Sequence, residues 1–175
     1  ILMRKVQTTR YTGIKKFYFD RVLKGIIIIG NLFSSSKTIL DFGCGEKRLE
    51  FLLKKKIYNY DINPDYSEIK NYLSINLDLI VINHVLMYFT KTEVDHFFEE
   101  IFKKNPNCEF IIGIGKQNFL SKILKNLTFN FKAHEGTILT YSEQLNIINR
   151  NLNIIKKKNI FFMTDLFYAK FKKIS

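Results

Sequence analysis

Tryptophan is absent from this 175-residue sequence, and proline and cysteine occur only twice each. Two prolines cannot build a proline-rich spacer. Pro64 and Pro106 each follow an asparagine and read as stops at the ends of elements. The two cysteines, Cys44 and Cys108, make neither a disulfide framework nor a metal-ligand spacing, so reduced thiols are expected. No apolar run approaches the roughly 20 residues that span a bilayer. The greasiest, Val22 to Phe33, contains Lys24. A charged, apolar and small-residue leader is missing, as are repeats and Gly/Ser-rich linkers. The expectation is one domain, soluble and cytoplasmic, with no membrane partner.

Acidic residues are also scarce, 16 against 28 basic ones, for a net charge of +12. Such a balance points toward nucleic acid. Arginine, the residue that best matches phosphates and base edges, supplies only 5 of the 28. Lys, Asn, Ile, Phe and Tyr together fill more than half the chain, so a bias toward A/T-rich codons accounts for much of the lysine. The charge is uneven. Residues 1–36 carry +6, residues 37–114 carry −2 and residues 115–175 carry +8. With 46% hydrophobic and 15% aromatic residues, disorder is excluded.

Strand and helix signals alternate along the chain. Phe19, Val22, Leu23, Ile26 and Phe33 have helical spacing, with Ser34–Ser36 as the expected stop. Strands are expected over 37–41, 57–61, 77–83 and 109–114, with a helix over 46–55 between the first two. Thr90-Lys-Thr-Glu93 is a capping box ahead of the apolar face Val94, Phe97, Phe98, Ile101 and Phe102. A helix is expected over 118–127. Thr140-Tyr-Ser-Glu143 is a second capping box, and strands over 153–162 and 166–173 close the chain. This order predicts a three-layer, Rossmann-like, doubly wound α/β fold.

The most informative segment is Leu40-Asp41-Phe42-Gly43-Cys44-Gly45. Two near-adjacent glycines between a strand and a helix let backbone approach a ligand closely. Asp41 ends the strand, where a carboxylate can meet a cation. Asp61 ends the next strand, where an acid can hydrogen-bond ribose hydroxyls. A ligand with an amine at one end and a ribose at the other suits the pair. A nicotinamide-binding Rossmann loop is the rival, but its third glycine is replaced by Arg48.

These segments resemble the class I S-adenosylmethionine-dependent methyltransferases. Residues 40–45 are similar to their first motif, Tyr60-Asp61-Ile62 to the acidic motif after the second strand, and 78–86 to the fourth strand and its turn. Residues 161–170 are similar to their closing hairpin. The resemblance covers about residues 15–173. It implies a seven-stranded sheet, parallel except for its last strand, binding S-adenosylmethionine and releasing S-adenosylhomocysteine. It further implies a basic arm and helix over 1–36 that caps the site, ahead of a methyltransferase domain over 37–175. Gly43, Cys44 and Gly45 would then approach the methionine part, Asp41 its amino group, and Asp61 with Ile62 the ribose side. Asn83 and His84 would flank the methyl donor. Asp78 follows Asp61 by only 17 positions, so the family's third strand is abbreviated.

Methyl transfer needs a base only when the acceptor is protonated. His84, His134 and Tyr88 are the candidates; Tyr11 is a weaker one, and His96 falls on the polar side of its helix. After the fourth strand the chain reads Asn83-His84-Val85-Leu86, without the Asn-Pro-Pro-Tyr-like run of base-amine methyltransferases. That favours a small-molecule acceptor. An RNA methyltransferase, or a nucleic-acid-binding module with a degenerate cofactor pocket, is the alternative. It would use Arg4, Lys5, Arg10, Lys15, Lys16 and Arg21 with Tyr11, Phe17 and Tyr18 as a phosphate-binding arm.

Overall fold

The computed structural model describes residues 13–116 and 136–172. Ten elements follow in chain order: α1 (Gly13–Ile29), β1 (Ile39–Phe42), α2 (Arg48–Leu53), β2 (Tyr58–Tyr60), β3 (Leu79–Asn83), α3 (Lys91–Lys104), β4 (Glu109–Gly115), α4 (Tyr141–Asn151), β5 (Leu152–Ile160) and β6 (Thr164–Phe171). They form a mixed α/β fold around one six-stranded sheet of order β2-β1-β3-β4-β6-β5. The first four strands in that order are mutually parallel, and β6 runs antiparallel to both its neighbours. The Rossmann-like, doubly wound expectation holds.

The chain moves outward from β1 to β2, then returns across β1 to β3. The carboxyl ends of β1 and β3 are therefore the topological switch point, where helices on opposite faces leave a crevice. Helices α1 and α2 cover one face, over Ile39, Leu79, Val81 and Ile111. Helices α3 and α4 cover the other, over Leu40, Ile80, Ile112 and Phe167. Both capping boxes form as expected: Thr90 with Glu93 opens α3, and Thr140 with Glu143 opens α4.

Two expectations change. The first helix stops at Ile29, before the serine run. Asn31 takes a left-handed conformation (φ 50°), Asn31 N–H donates to Ile28 C=O and Leu32 N–H donates to Ile27 C=O. These are the paired bonds of a Schellman cap, closed by the fully buried Leu32. Phe33 consequently lies beyond the helix and is exposed.

The second change concerns the family's third strand. Among the described residues the sheet has six strands, not seven, and β2 is its edge. The link from β2 to β3 contains only a 3₁₀ turn, Tyr72–Ser74. Its Tyr72 ring packs 4.9 Å from Tyr60, 5.3 Å from Phe42 and 5.9 Å from Phe97. An aromatic plug thus covers apolar surface that an additional strand and its helix would otherwise cover. The expected helix over 118–127 lies outside the described residues.

Two buried carboxylates tie the antiparallel end together. Asp165 accepts from Tyr141 Oη (2.6 Å) and Asn159 Nδ2 (2.7 Å), and pairs with Lys116 (3.0 Å) and Lys157 (3.1 Å). Glu109 holds Lys37, Lys170 and the Tyr168 hydroxyl. Burial pushes both carboxyl groups up, but these partners outweigh it and hold each at about 2. With folded-state values below the ordinary carboxylate range, both contribute stability that is present above about pH 4 and lost as pH falls toward 2. Asp165→Ala is expected to cost roughly 3 kcal/mol in urea unfolding at pH 7. That is the low end for breaking a buried pair, because both ammonium groups can swing into water. Asp165→Asn is expected to flatten the loss of wild-type stability between pH 4 and 2, and an unchanged slope would contradict this account.

Candidate functional site

The glycine loop leaves β1 at the switch point. Gly43 has φ 79° and Gly45 φ 49°. A Cβ on Gly43 would stand 2.3 Å from Val85 Cγ2, so glycine is required there for space as well as for conformation. The backbone donors of the loop are all used internally. Gly43 N–H and Cys44 N–H both donate to Tyr60 C=O, at 2.8 and 3.1 Å. Gly45 N–H donates to Asp61 Oδ2 at 2.9 Å. With these three donors spent, the Gly43–Gly45 backbone itself offers no N–H to a pyrophosphate, which weighs against the nicotinamide rival. Lys47, two residues past Gly45, is also left-handed (φ 56°) and is tied to Glu68 at 3.0 Å. No local signal in the sequence marks that lysine.

Asp61 therefore does more than the ribose reading gives it. Its two oxygens accept from Gly45 N–H and Asn63 N–H, each at 2.9 Å, so the acid after β2 splints the loop after β1. Each oxygen keeps a further acceptor site. Ile62 beside it is partly exposed, an apolar surface at the same edge.

Asp41 is the electrostatic anomaly. Its residue is buried, and no described hydrogen bond or ion pair ends on its carboxylate. Burial, followed by repulsion from Asp61 and Glu50, raises its carboxyl from the ordinary range to about 7. Asn83 lies on the same face of the sheet, one strand over and two residues further along. Its Oδ1 is buried without a donor, 2.4 Å from where a Cβ on Gly113 would lie. An unpaired buried carboxylate and an unpaired buried carbonyl both call for donors, the first of them cationic. The residues present fit a ligand with an ammonium group.

Cys44 is an unreactive member of the loop. Burial, with repulsion from Asp41 and Asp61, pushes its thiol up to about 12.

His84 follows β3 in a left-handed conformation (φ 57°), with its N–H on Gly113 C=O at 2.9 Å. Its Nε2 lies 3.0 Å from Thr164 Oγ1. The fully buried Thr164 also bonds the Tyr18 hydroxyl, whose proton burial makes harder to remove. The ring of Phe19 meets the His84 imidazole edge-on at 5.6 Å. Sequence reasoning missed Thr164 and Phe19 as neighbours of His84, and Tyr18 as the partner of Thr164. Thr164 arrives because β6 is antiparallel and pairs with Gly115, a contact 80 residues distant in sequence from His84. Tyr88 sits half-buried in the 3₁₀ turn Leu86–Tyr88, and burial raises its phenol. His96 is on the surface beside Glu100. His134, Tyr11, Arg4, Lys5 and Arg10 lie outside the described residues.

A shallow cleft of about 350 Å³ lies at the opposite, amino edge, among Asn31, Ser34–Ser36, Lys37, Lys156 and Tyr168. It is remote from the glycine loop. No described helix is long and apolar enough to cross a membrane.

No family model and no curated protein matches this sequence. Solved structures do. The chain superposes on the PH0226 protein from Pyrococcus horikoshii OT3 with a TM-score of 0.67 at 14% identity, covering 94% of this chain and 95% of that one. It also superposes on magnesium protoporphyrin IX methyltransferase from Synechocystis PCC 6803 with bound S-adenosylhomocysteine (TM-score 0.56, 11% identity, 94% and 90% covered). A third is the N-methyltransferase NodS from Bradyrhizobium japonicum WM9 in complex with S-adenosylhomocysteine (TM-score 0.60, 14% identity, 89% and 88% covered).

Asp41 yields a direct test. Its folded-state value lies above its unfolded one, so the ligand-free protein is expected to lose stability as pH rises from about 4 to 7. Asp41→Asn should remove that decline and unfold at higher urea than wild type at pH 7.5. A variant less stable than wild type at that pH would show that Asp41 is already neutralised. Taken together, the sheet order, the switch-point loop and these superpositions establish that this chain has the fold of the class I methyltransferases.

Proposed function

We propose that this chain is an S-adenosylmethionine-dependent methyltransferase acting on a small molecule. The observation that carries the reading is the buried Asp41 carboxylate, without a counter-charge among the described residues, beside the Gly43–Gly45 loop at the switch point. The cofactor, when bound, supplies a methyl carbon already activated by a sulfonium. Asp41 would hold the amino group, and neutralising that carboxylate relieves the penalty of burying it. Asn83 Oδ1 supplies a second acceptor on the same face. Asp61 holds the loop in place and offers its remaining acceptor sites to the ribose, with Ile62 against the flat base.

The chain's remaining task is alignment and exclusion of water. His84 is the base for a protonated acceptor. Thr164 engages its Nε2 and links it to the Tyr18 hydroxyl. The helix α1 carries Tyr18 and Phe19 to this point and would serve as a cap over the site. The likeness to two methyltransferases solved with S-adenosylhomocysteine supports the same reading.

Calorimetry with S-adenosylhomocysteine tests it. Wild type should bind, Asp41→Ala and Asp61→Ala should each weaken binding at least tenfold, and His84→Ala should leave it nearly unchanged. Absence of binding by the wild type would overturn the proposal. Binding of RNA in its place, falling steeply with salt, would favour the nucleic-acid alternative.

A further inference from the structure

We propose that the methyl acceptor is a planar aromatic molecule, received on a face built from Phe17, Tyr18, Phe161 and Phe162. The inference rests on the methyltransferase reading and names its substrate class. Strands β5 and β6 are joined by Phe161, Phe162 and Met163; Phe161 and Phe162 have φ 49° and 59°, and Met163 N–H closes the turn by donating to Ile160 C=O at 3.0 Å. A β-turn with both central residues left-handed is normally built from Asn-Gly or Asp-Gly. Bulky side chains are outliers in that region of backbone space.

Burial does not offset the strain. Phe161 is 49% exposed, Phe162 73% and Phe17 56%. The turn is held open by local means: Asn159 Oδ1 accepts from Phe162 N–H at 2.7 Å, and the Phe161 ring lies 6.4 Å from Phe17 and 6.5 Å from Tyr18. Strain kept without a gain in burial marks a segment retained for what it presents rather than for stability.

What it presents lies next to the acid–base row. Phe161 is three residues before Thr164, which bonds both His84 and Tyr18, and Phe17 adjoins Tyr18 in α1. The turn sits at the carboxyl edge of the sheet, on the side of the glycine loop. Ring faces reward a flat π surface by stacking and offer no partners for the hydroxyls of a sugar. Arg21 over the outer Phe17 ring, at 5.4 Å, suits an electron-rich ring system.

The test uses lumichrome, a neutral fluorescent tricyclic, with the protein saturated in S-adenosylhomocysteine, and N-acetylglucosamine as a non-aromatic comparison. Lumichrome should bind and the sugar should not. The double variant Phe161→Asn/Phe162→Gly should melt at a higher temperature than wild type, because it relieves the turn, yet bind lumichrome at least tenfold more weakly. Phe33→Ala, which removes an exposed ring elsewhere, should change neither property. Unaltered lumichrome affinity in the double variant, a lower melting temperature, or tighter sugar than lumichrome binding would each overturn the proposal. Failure of S-adenosylhomocysteine itself to bind is read separately, by calorimetry. That result removes the parent reading and this one with it, whereas cofactor binding without lumichrome binding removes this one alone.

Discussion

One reversed strand organises the site. In a parallel sheet every strand delivers its carboxyl-terminal residues to the same edge, and β1, β3 and β4 bring Asp41, Asn83 and Gly115 there. Because β6 runs the other way, it delivers its amino-terminal residues to that edge. Thr164 arrives on the α1 face beside His84, and Asp165 on the opposite face beside Tyr141. Adjacent residues on a strand face opposite ways, so a single register places one in the candidate site and the other in the core. A slip of one residue would exchange the buried Asp165 carboxylate for Thr164, and the lysines at 116 and 157 would lose their partner.

The edge is also a place of unmet demand. The donors of Gly43–Gly45 are spent on Tyr60 and Asp61, while Asn83 Oδ1 has no donor and Asp41 meets none among the described residues. A core arranged only for stability would pair or replace such groups. At this edge the chain keeps a buried acid whose carboxyl is raised to about 7 and three bulky left-handed residues, His84, Phe161 and Phe162. On the opposite face of the same edge Asp165, and at the amino edge Glu109, are just as buried but surrounded by donors. The contrast between the two treatments of buried carboxylates separates the candidate site from the scaffold.

Aromatic residues do much of the scaffold's work. Phe42, Tyr60, Tyr72, Phe97, Phe98 and Phe110 form a continuous chain of ring contacts across the α3 face. That chain lets the sheet end at the three-residue β2, since Tyr72 plugs its flank. The lysines of β5 fall on the other edge strand, where charge discourages strand addition. This accounts for part of the positive charge without a polyanionic partner.

The sequence by itself determined the elements and the loop. Period-3.6 and continuous apolar runs located the helices and central strands, the capping boxes located the starts of α3 and α4, and Asp41-Phe-Gly43-Cys-Gly45 with Asp61 located the candidate site. These are local patterns, set by backbone geometry within a few residues, and local patterns are visible in a string. The end of α1 was misplaced because a Schellman cap depends on a left-handed Asn31 rather than on the conspicuous serines. Only the tertiary structure decided that Asp61 splints the loop, that Tyr72 stands where a strand was expected, and that Thr164, itself bonded to Tyr18, holds His84. Each of those is a contact between distant segments, fixed by strand order and register, and nothing in the residues on either side announces it.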